Sequence, residues 1–247
     1  MTTLEPPTKP RTLARTAGIA YLLMGLGAWA HLGVRAGIHV PGDAAATAQN
    51  LTADATVFRL ALVADIAMAT SFVVLGVLLF RLLRHVNWPA AGALVVFVTV
   101  GAGMILTNLL FHQAALLVAT DTTYATLRSD DLVLFLLDLH QVGYTLAGIF
   151  FGLWLLPVGY LGYRSGLFPK LLSVLLFVAG GAWIVDTLAA LLFPELPAVV
   201  HSILTAPTFA ELWLLAYLLI KGVRTPDPDR STSPVRGVDR DLEGGMV

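Results

Sequence analysis

The sequence predicts an all-α membrane protein built from six spanning helices, and three observations lead to that prediction. The 247-residue chain is 57% hydrophobic and 13% charged, with a mean hydropathy of +0.80. Soluble domains contain about 45–50% apolar and about 25% charged residues, so this apolar excess is too large for one soluble core. Six apolar stretches each reach the roughly 20 residues that a helix needs to cross a bilayer. Backbone polar groups in lipid must be satisfied within their own segment, so these spans are helices.

The first three predicted spans are Leu13–Val34, Val57–Leu83 and Ala90–Ala119. Pro41-Gly42-Asp43 follows the first span, and Asp43 is suited to N-cap a short Ala-rich surface helix. Asn87-Trp88-Pro89 separates the second span from the third. The third span is longer than one bilayer, so we expect it to tilt or to extend beyond the membrane.

The last three predicted spans are Leu132–Tyr163, Phe168–Phe193 and Val199–Lys221. The fourth is again longer than one bilayer. Arg164-Ser165-Gly166 ends it, and two prolines mark the turn before the sixth. The membrane domain therefore covers residues 13–222, between an N-terminal tail of residues 1–12 and a C-terminal tail of residues 223–247. The C-terminal tail is rich in Pro, Asp, Arg, Ser and Gly, which predicts disorder.

Charge predicts the orientation and excludes one class of partner. All but three of the 15 Lys and Arg residues fall on the side of the two termini, so both termini are predicted to be cytoplasmic. The three exceptions are Arg35, Arg59 and Arg128. A formal net charge of −1 predicts no nucleic-acid partner, and the absence of cysteine excludes disulfides and thiolate metal sites. Ala28-Trp29-Ala30 loosely resembles a signal-peptide cleavage site, but the apolar run continues beyond it and favours an uncleaved span.

Seven ionisable side chains lie within the predicted spans, where charges are costly unless they pair, line a cavity or perform chemistry. At about 1.5 Å per residue, most lie in the outer half of the membrane, Glu211 lies near the midplane, and His31 is shallow enough to reach the interface. Asp138 and His140 are two residues apart, roughly 200° around a helix, so only one of them can face a narrow cavity. The seven residues are His31, Asp65, His112, Asp138, His140, Asp186 and Glu211.

Helical spacing places further polar residues on the same helix faces as some of these seven residues. Asn108 shares a face with His112, and Tyr144 shares a face with His140, because each pair is four residues apart. In the sixth span, a polar stripe leads to Glu211; its members are His201, Thr205, Thr208 and Glu211. Arg59 lies near the predicted outer mouth, where we expect it to pair with an acidic group. Pro207 is a position where the sixth helix can be distorted.

Several chemistries are compatible with the set of Asp65, His112, His140, Asp186 and Glu211. Polar groups can simply join helices, at around 0.6 kcal/mol each. Nitrogen and oxygen donors from His112, His140, Asp65 and Asp186 suit a transition metal such as zinc or iron. Asp65, Asp186 and Glu211 are the candidate catalytic acids, bases or proton carriers. Haem ligation by His112 and His140 is a further alternative. The candidate ligand-binding residues are His112, His140, Asn108, Tyr144 and Arg59.

Several stretches, in this order, resemble one known family. They are Val40-Pro41-Gly42-Asp43-Ala44-Ala45-Ala46-Thr47, Phe58-Arg59-Leu60, Leu137-Asp138-Leu139-His140, Gly159-Tyr160-Leu161-Gly162-Tyr163-Arg164-Ser165-Gly166 and Glu211-Leu212-Trp213. Together they are similar to the bacterial integral-membrane family catalogued as domain of unknown function 4386. The resemblance covers about Arg11 to Val223. It implies a multi-helix membrane protein and supplies no activity or functional residue.

The functional prediction is therefore an outward-facing polar cavity within the membrane, which binds a small ligand, a metal or a lipid head group. Its partners are the lipid bilayer and a small-molecule or lipid ligand. One alternative is a membrane-embedded lipid hydrolase or prenyl-lipid cyclase that uses the buried acids. The other is a proton-coupled transporter in which the same carboxylates carry protons.

Overall fold

Six helical segments are long and apolar enough to cross a membrane, as the sequence predicts. The computed structural model describes residues 10–224, and within that range the chain forms helices and no strands. The predicted tails 1–12 and 223–247 therefore lie almost entirely outside the described residues. The α-helices are α1 (Pro10–Ile38), α2 (Ala44–Ala53), α3 (Ala55–Leu83), α4 (Trp88–Thr120), α5 (Asp130–Leu153), α6 (Leu155–Ser165), α7 (Lys170–Leu192), α8 (Ala198–Thr205) and α9 (Phe209–Ile220).

The helix between the first two spans begins where the sequence predicts. The Asp43 side chain accepts a hydrogen bond of 2.9 Å from the backbone N–H of Ala46, which confirms it as the N-cap of α2. The α2 helix is more than a surface element, because Leu51 is fully buried against α4 and α5. The Asn87 side chain caps α4 in the same way, through a 3.0 Å bond from Ala90 N–H.

The fourth span is not one regular helix. It divides into α5 and α6 at Trp154, three residues before Pro157. Proline has no backbone N–H, so the carbonyl of Leu153 loses its usual helical partner, and the proline ring crowds that carbonyl. The next backbone bond, from Val158 N–H to Trp154 O, is long at 3.4 Å. The fourth span therefore remains one membrane-crossing segment, but its helix is broken at Trp154, which was not predicted from the sequence.

The sixth span is also interrupted, which corrects the predicted polar stripe. A 3₁₀ turn over Ala206–Thr208 separates α8 from α9, and Pro207 lies at its centre. The stripe assumed one continuous helix through Thr205 and Thr208. Both hydroxyls instead bond to backbone carbonyls of their own segment, those of His201 and Thr205.

The two described ends of the chain lie at the same end of the bundle, which we call the proximal end. Arg15 near the start of α1 donates a 3.3 Å hydrogen bond to the carbonyl of Ile220 at the end of α9. The backbone N–H of Arg224 bonds to Leu167 O, between α6 and α7, at 3.0 Å. This arrangement fits an even number of spans. The opposite part of the bundle, which contains α2 and α8, is called the distal half.

The helices pack in an order that leaves one gap. The α1 helix lies along α3, α3 along α4, α4 along α5, and α5 and α6 along α7. The α9 helix closes the ring by packing against the N-terminal part of α1, where Gly18 faces Leu219. In the distal half, α1 has no comparable contact with α7 or α8. The bundle is therefore closed proximally and separated distally between α1 and α7–α8.

Two buried apolar clusters enclose a polar layer. The larger cluster includes Met68 of α3 and Ile105 of α4, and the smaller one includes Phe58 of α3 and Leu137 of α5. Asp65, Asn108, His112 and His140 lie on these helices between the two clusters. The polar side chains are thus held by close-packed apolar residues on both sides.

Candidate functional site

A buried carboxylate, that of Asp65 on α3, lies at the centre of the polar layer and is 0% exposed. Its Oδ2 lies 3.0 Å from Nδ1 of His31 on α1, and its Oδ1 accepts a 2.9 Å hydrogen bond from the Tyr144 hydroxyl on α5. The Tyr144 ring stacks on the His31 ring, with 4.3 Å between centroids. Both carboxylate oxygens therefore have partners, as a buried charge requires. Three helices meet at this carboxylate.

His31 was set aside in the sequence analysis as shallow enough to reach the interface, but the structure brings its side chain to Asp65. The first helix continues to Ile38, about one turn beyond the predicted end at Val34. His31 is 6% exposed and lies about 24 Å along α1 from Arg15, at about 1.5 Å per residue. It belongs to the polar centre.

His140 joins α5 to α4 and leaves one ring nitrogen free. Its Nδ1 lies 3.1 Å from the backbone carbonyl of Asn108, and the Asn108 side-chain amide donates a 2.7 Å bond to the His140 carbonyl. A carbonyl only accepts, so Nδ1 carries a proton and Nε2 of the neutral ring presents a lone pair. His140 is 3% exposed, and its Nε2 is buried with no hydrogen-bond partner among the described residues.

His112 is a neighbour of this centre and has a structural partner. Its Nε2 lies 3.0 Å from the carbonyl of Phe58, and its ring stacks on the Phe58 ring. The His112 and His140 rings are 5.4 Å apart. The haem alternative requires each of these histidines to direct a nitrogen at one iron. Because His112 Nε2 already bonds to the Phe58 carbonyl, the structure does not favour haem ligation by these two histidines.

Metal-compatible donors converge at one point among the described residues. One donor atom from each of His31, Asp65 and His140 lies within 4.8 Å of the other two. The predicted metal set of His112, His140, Asp65 and Asp186 is therefore only partly brought together. His31 joins Asp65 and His140 instead of the predicted Asp186, whose carboxylate pairs with His201.

Asp186 forms a separate pair in the distal half. Its Oδ1 lies 2.7 Å from Nδ1 of His201, which connects α7 to α8. Both side chains are partly exposed. His201 was placed by the sequence analysis on the polar stripe, and the structure gives it this specific partner.

Glu211 forms a third polar group with two aromatic donors. The Tyr21 hydroxyl on α1 donates a 2.7 Å bond to Oε2, and the Trp183 indole N–H on α7 donates a 2.8 Å bond to Oε1. The carboxylate at the start of α9 thus joins α1 and α7 where the closed part of the bundle ends. The sequence gives no signal for Trp183, because its indole N–H becomes a donor to Glu211 only through the packing of α7 against α9.

Two of the predicted residues lie outside the centre. Asp138 points away from His140, with a side chain 54% exposed, and lies 2.8 Å from Nε2 of His39 just beyond α1. His140, and not Asp138, is thus the residue that faces inward. Arg59 is exposed, and the described residues give it no ion pair with an acidic group. His39 was missed because it lies in a loop, outside any predicted span.

The three inward polar groups share one cavity of about 540 Å³. Its lining includes His31 and Tyr144 from the first group, Asp186 and His201 from the second, and Glu211 from the third. The remaining wall is largely apolar and aromatic; it includes Met24, Phe72, Phe151, Trp154 and Trp183. A second, much smaller cavity of about 20 Å³ borders His31, His112 and His140.

Fold and site together define a polytopic helical membrane protein with a buried polar centre. The family model described as "Domain of unknown function (DUF4386)" matches residues 16–222, most of the chain. The protein therefore belongs to that family, and the resemblance seen in the sequence is confirmed. No curated protein and no solved structure matches the chain.

Proposed function

We propose that this protein binds a small amphiphilic molecule, with an apolar body and a hydrogen-bond-donating polar end, in the 540 Å³ cavity. The observation that carries the proposal is the composition of the cavity: a few carboxylate, imidazole and phenol groups among mostly aromatic and aliphatic side chains. Small-molecule sites are typically about 300–1,000 Å³ and mostly apolar, with a few polar groups that fix orientation. The cavity has both properties.

The position of the cavity supports entry from the bilayer. It lies where α1 separates from α7 and α8, and it includes residues on the outer surface of the bundle. Trp29 and Leu32 on α1 and Leu212 on α9 border it and are exposed, Trp29 at 73%. These residues belong to membrane-spanning segments, so the rim faces hydrocarbon. An amphiphile can then enter laterally without leaving the membrane.

The polar groups that line the cavity favour a ligand that donates hydrogen bonds. Asp186 and Glu211 contribute carboxylates to the cavity, and Asp65 lies directly behind His31 and Tyr144. Arg35 is the one cation with permanent charge among the cavity residues. A hydroxyl or amine end group matches these acceptors better than a phosphate or carboxylate, because acceptors facing an anion would repel it.

The setting of this function is a multi-pass protein of a bacterial plasma membrane, with cytoplasmic termini and a cavity that faces outward. The basic residues at the proximal end support this orientation. Lipid hydrolysis, prenyl-lipid cyclisation and proton-coupled transport all begin with binding in such a cavity. Binding is therefore the function to test first.

The test uses quenching of indole fluorescence by a long-chain alcohol and a long-chain amine that carry bromine, with the full-length protein in nanodiscs. Trp29, Trp154 and Trp183 border the cavity. Gly25→Phe fills it, because Gly25 borders the cavity and an added Cβ meets no atom within 4 Å. Gly33→Phe is the matched control on the same helix, since Gly33 has equal space but does not border the cavity.

We expect saturable quenching in the native protein and in Gly33→Phe, and an affinity about tenfold lower or worse in Gly25→Phe, a loss of about 1.4 kcal/mol or more. The corresponding amphiphile without bromine reverses the quenching. Quenching that rises linearly with probe, or equal affinity in the two variants, would refute the proposal.

A further inference from the structure

We infer that His31, Asp65 and His140 form a binding site for one divalent transition-metal ion, zinc or ferrous iron. The three side chains come from α1, α3 and α5 and are all buried. Their donor atoms lie within 4.8 Å of one another, and His31 Nδ1 and Asp65 Oδ2 are 3.0 Å apart. Tetrahedral ligands at about 2.0–2.2 Å from zinc are about 3.4 Å apart, so side-chain movements of about 1 Å complete the geometry.

The strongest support is the free nitrogen of His140. A buried polar atom without a partner is uncommon and needs an explanation. Here the Asn108 carbonyl fixes the proton on Nδ1, so the unpartnered Nε2 presents its lone pair. Histidines that bind metals usually donate their other ring N–H to a carbonyl or carboxylate, which orients the ring and raises its basicity. His140 has this arrangement.

The carboxylate of Asp65 supplies the charge that the ion needs. Its Oδ1 is oriented by the Tyr144 hydroxyl, which leaves Oδ2 for the metal. Without a metal, a proton lies between His31 and Asp65; a cation displaces that proton, since ligands bind in their deprotonated forms. A fully buried carboxylate in a membrane helix needs a compensating positive charge, and a divalent cation supplies it.

Space for a fourth ligand lies beside the three donors. The 20 Å³ cavity borders both His31 and His140 and has room for about one water molecule, which needs roughly 10–15 Å³. His31 also borders the larger cavity. Two histidines and one carboxylate with an open position match the donor sets of catalytic zinc and non-haem ferrous iron. The inference does not depend on the amphiphile proposed above, because the ion is held by protein groups alone.

The test begins with full-length protein that has been purified in detergent and stripped with a chelator. Zinc and cobalt(II) are then titrated separately, and ferrous iron is added without oxygen. Bound metal is measured by elemental analysis after desalting, and cobalt also by its visible absorption spectrum. Asp65→Asn and His140→Gln remove one ligand each. His201→Gln is the matched control, because His201 also bonds to an aspartate but belongs to no three-donor group within residues 10–224.

We expect about one equivalent of metal in the native protein and in His201→Gln, a cobalt spectrum typical of low coordination, and a higher Tm with metal than without. Asp65→Asn and His140→Gln should bind less than about a tenth of an equivalent. Size exclusion and circular dichroism check that both variants fold. If either variant does not fold, the inference is judged from the cobalt spectrum and the metal-induced Tm shift of the native protein. Less than about a tenth of an equivalent in native protein at saturating metal, or native binding in folded His140→Gln, would overturn the inference.

Discussion

Asn108 and His140 bind each other through two hydrogen bonds that run in opposite directions between α4 and α5. The Asn108 amide donates to the His140 carbonyl at 2.7 Å, and His140 Nδ1 lies 3.1 Å from the Asn108 carbonyl. Both bonds use backbone carbonyls, so the relative position of the two helices is fixed together with the orientation of the imidazole. A change that separates α4 from α5 is therefore expected to affect both stability and the free Nε2 of His140.

Gly143→Ala tests this relationship, because the Asn108 side chain occupies the space that a Cβ at Gly143 of α5 would need. An added Cβ would collide with Oδ1 of Asn108. We expect a loss of about 1–3 kcal/mol in the free energy of unfolding, the usual cost of overpacking a tight contact. Stability in detergent would be measured by thermal or denaturant unfolding.

The matched control is Gly103→Ala on α4, where an added Cβ meets no atom within 4 Å. It is expected to be neutral or stabilising by up to about 1 kcal/mol, since alanine favours helices more than glycine does. Equal effects of the two substitutions would mean that α4 and α5 are not held this closely.

The helices and several shared faces could be predicted from the sequence, because both depend on local spacing. Apolar length determines the spans, and a separation of four residues places Asn108 with His112 and His140 with Tyr144. What could not be predicted was which faces meet. Asp186 and Asp65 have similar predicted depths, yet each pairs with a different histidine, because lateral position in a bundle depends on packing.

Helix packing and helix continuity account for the other differences. His31 was expected to reach the interface, but α1 packs along α3 and places His31 against Asp65, a contact that depth along one helix does not predict. Pro157 interrupts a span that was predicted as continuous, whereas distortion at Pro207 was anticipated from the sequence. The break at Pro207 removes the regular spacing on which the polar stripe depended. Trp183 illustrates a further limit, since an indole N–H becomes a functional group only when a carboxylate packs against it.

The N-cap of α2 gives a prediction with a closely matched control. Asp43→Ala removes the bond to Ala46 N–H and should lower the free energy of unfolding by about 1 kcal/mol. Asp54 lies at the N-cap position of α3 but its side chain makes no capping bond. Asp54→Ala should therefore change stability by less than about 0.5 kcal/mol. Denaturant unfolding of both variants measures the difference; a cost for Asp54→Ala as large as that for Asp43→Ala would contradict the capping role.

Asp121, in the loop after α4, gives a prediction about pH. Its side chain accepts a 2.8 Å hydrogen bond from the backbone N–H of Thr123, and this bond, together with hydrogen bonding to the Thr123 side chain, lowers the pKa of the carboxyl below its usual value. A lowered folded-state pKa means that the contribution to stability is present above the unfolded-state pKa and is lost as the pH falls through the folded-state pKa. Nuclear magnetic resonance titration of the carboxyl should show the low pKa, and Thr123→Pro, which removes the N–H, should raise it. An unchanged value in Thr123→Pro would exclude this cause.

The bonds around Glu211 lead to a prediction about the closed part of the bundle. Tyr21→Phe removes the hydroxyl that donates to Oε2, while the Trp183 N–H still donates to Oε1. We expect a loss of about 1–3 kcal/mol, because Tyr21 is buried and a carboxylate loses one of its two donors. Tyr160→Phe, at an exposed tyrosine of α6, is the control and should change stability by less than about 0.5 kcal/mol.

A double-mutant cycle with Glu211→Gln separates this bond from general packing. If the hydroxyl acts through the carboxylate, the double variant should be less destabilised than the sum of the two single variants, with a coupling of about 0.5–3 kcal/mol. Glu211→Gln should also shift the indole emission, because the Trp183 N–H then faces a neutral amide instead of a carboxylate. Additive losses together with unchanged emission would show that Glu211 does not join α1 to α7 through these two aromatic side chains.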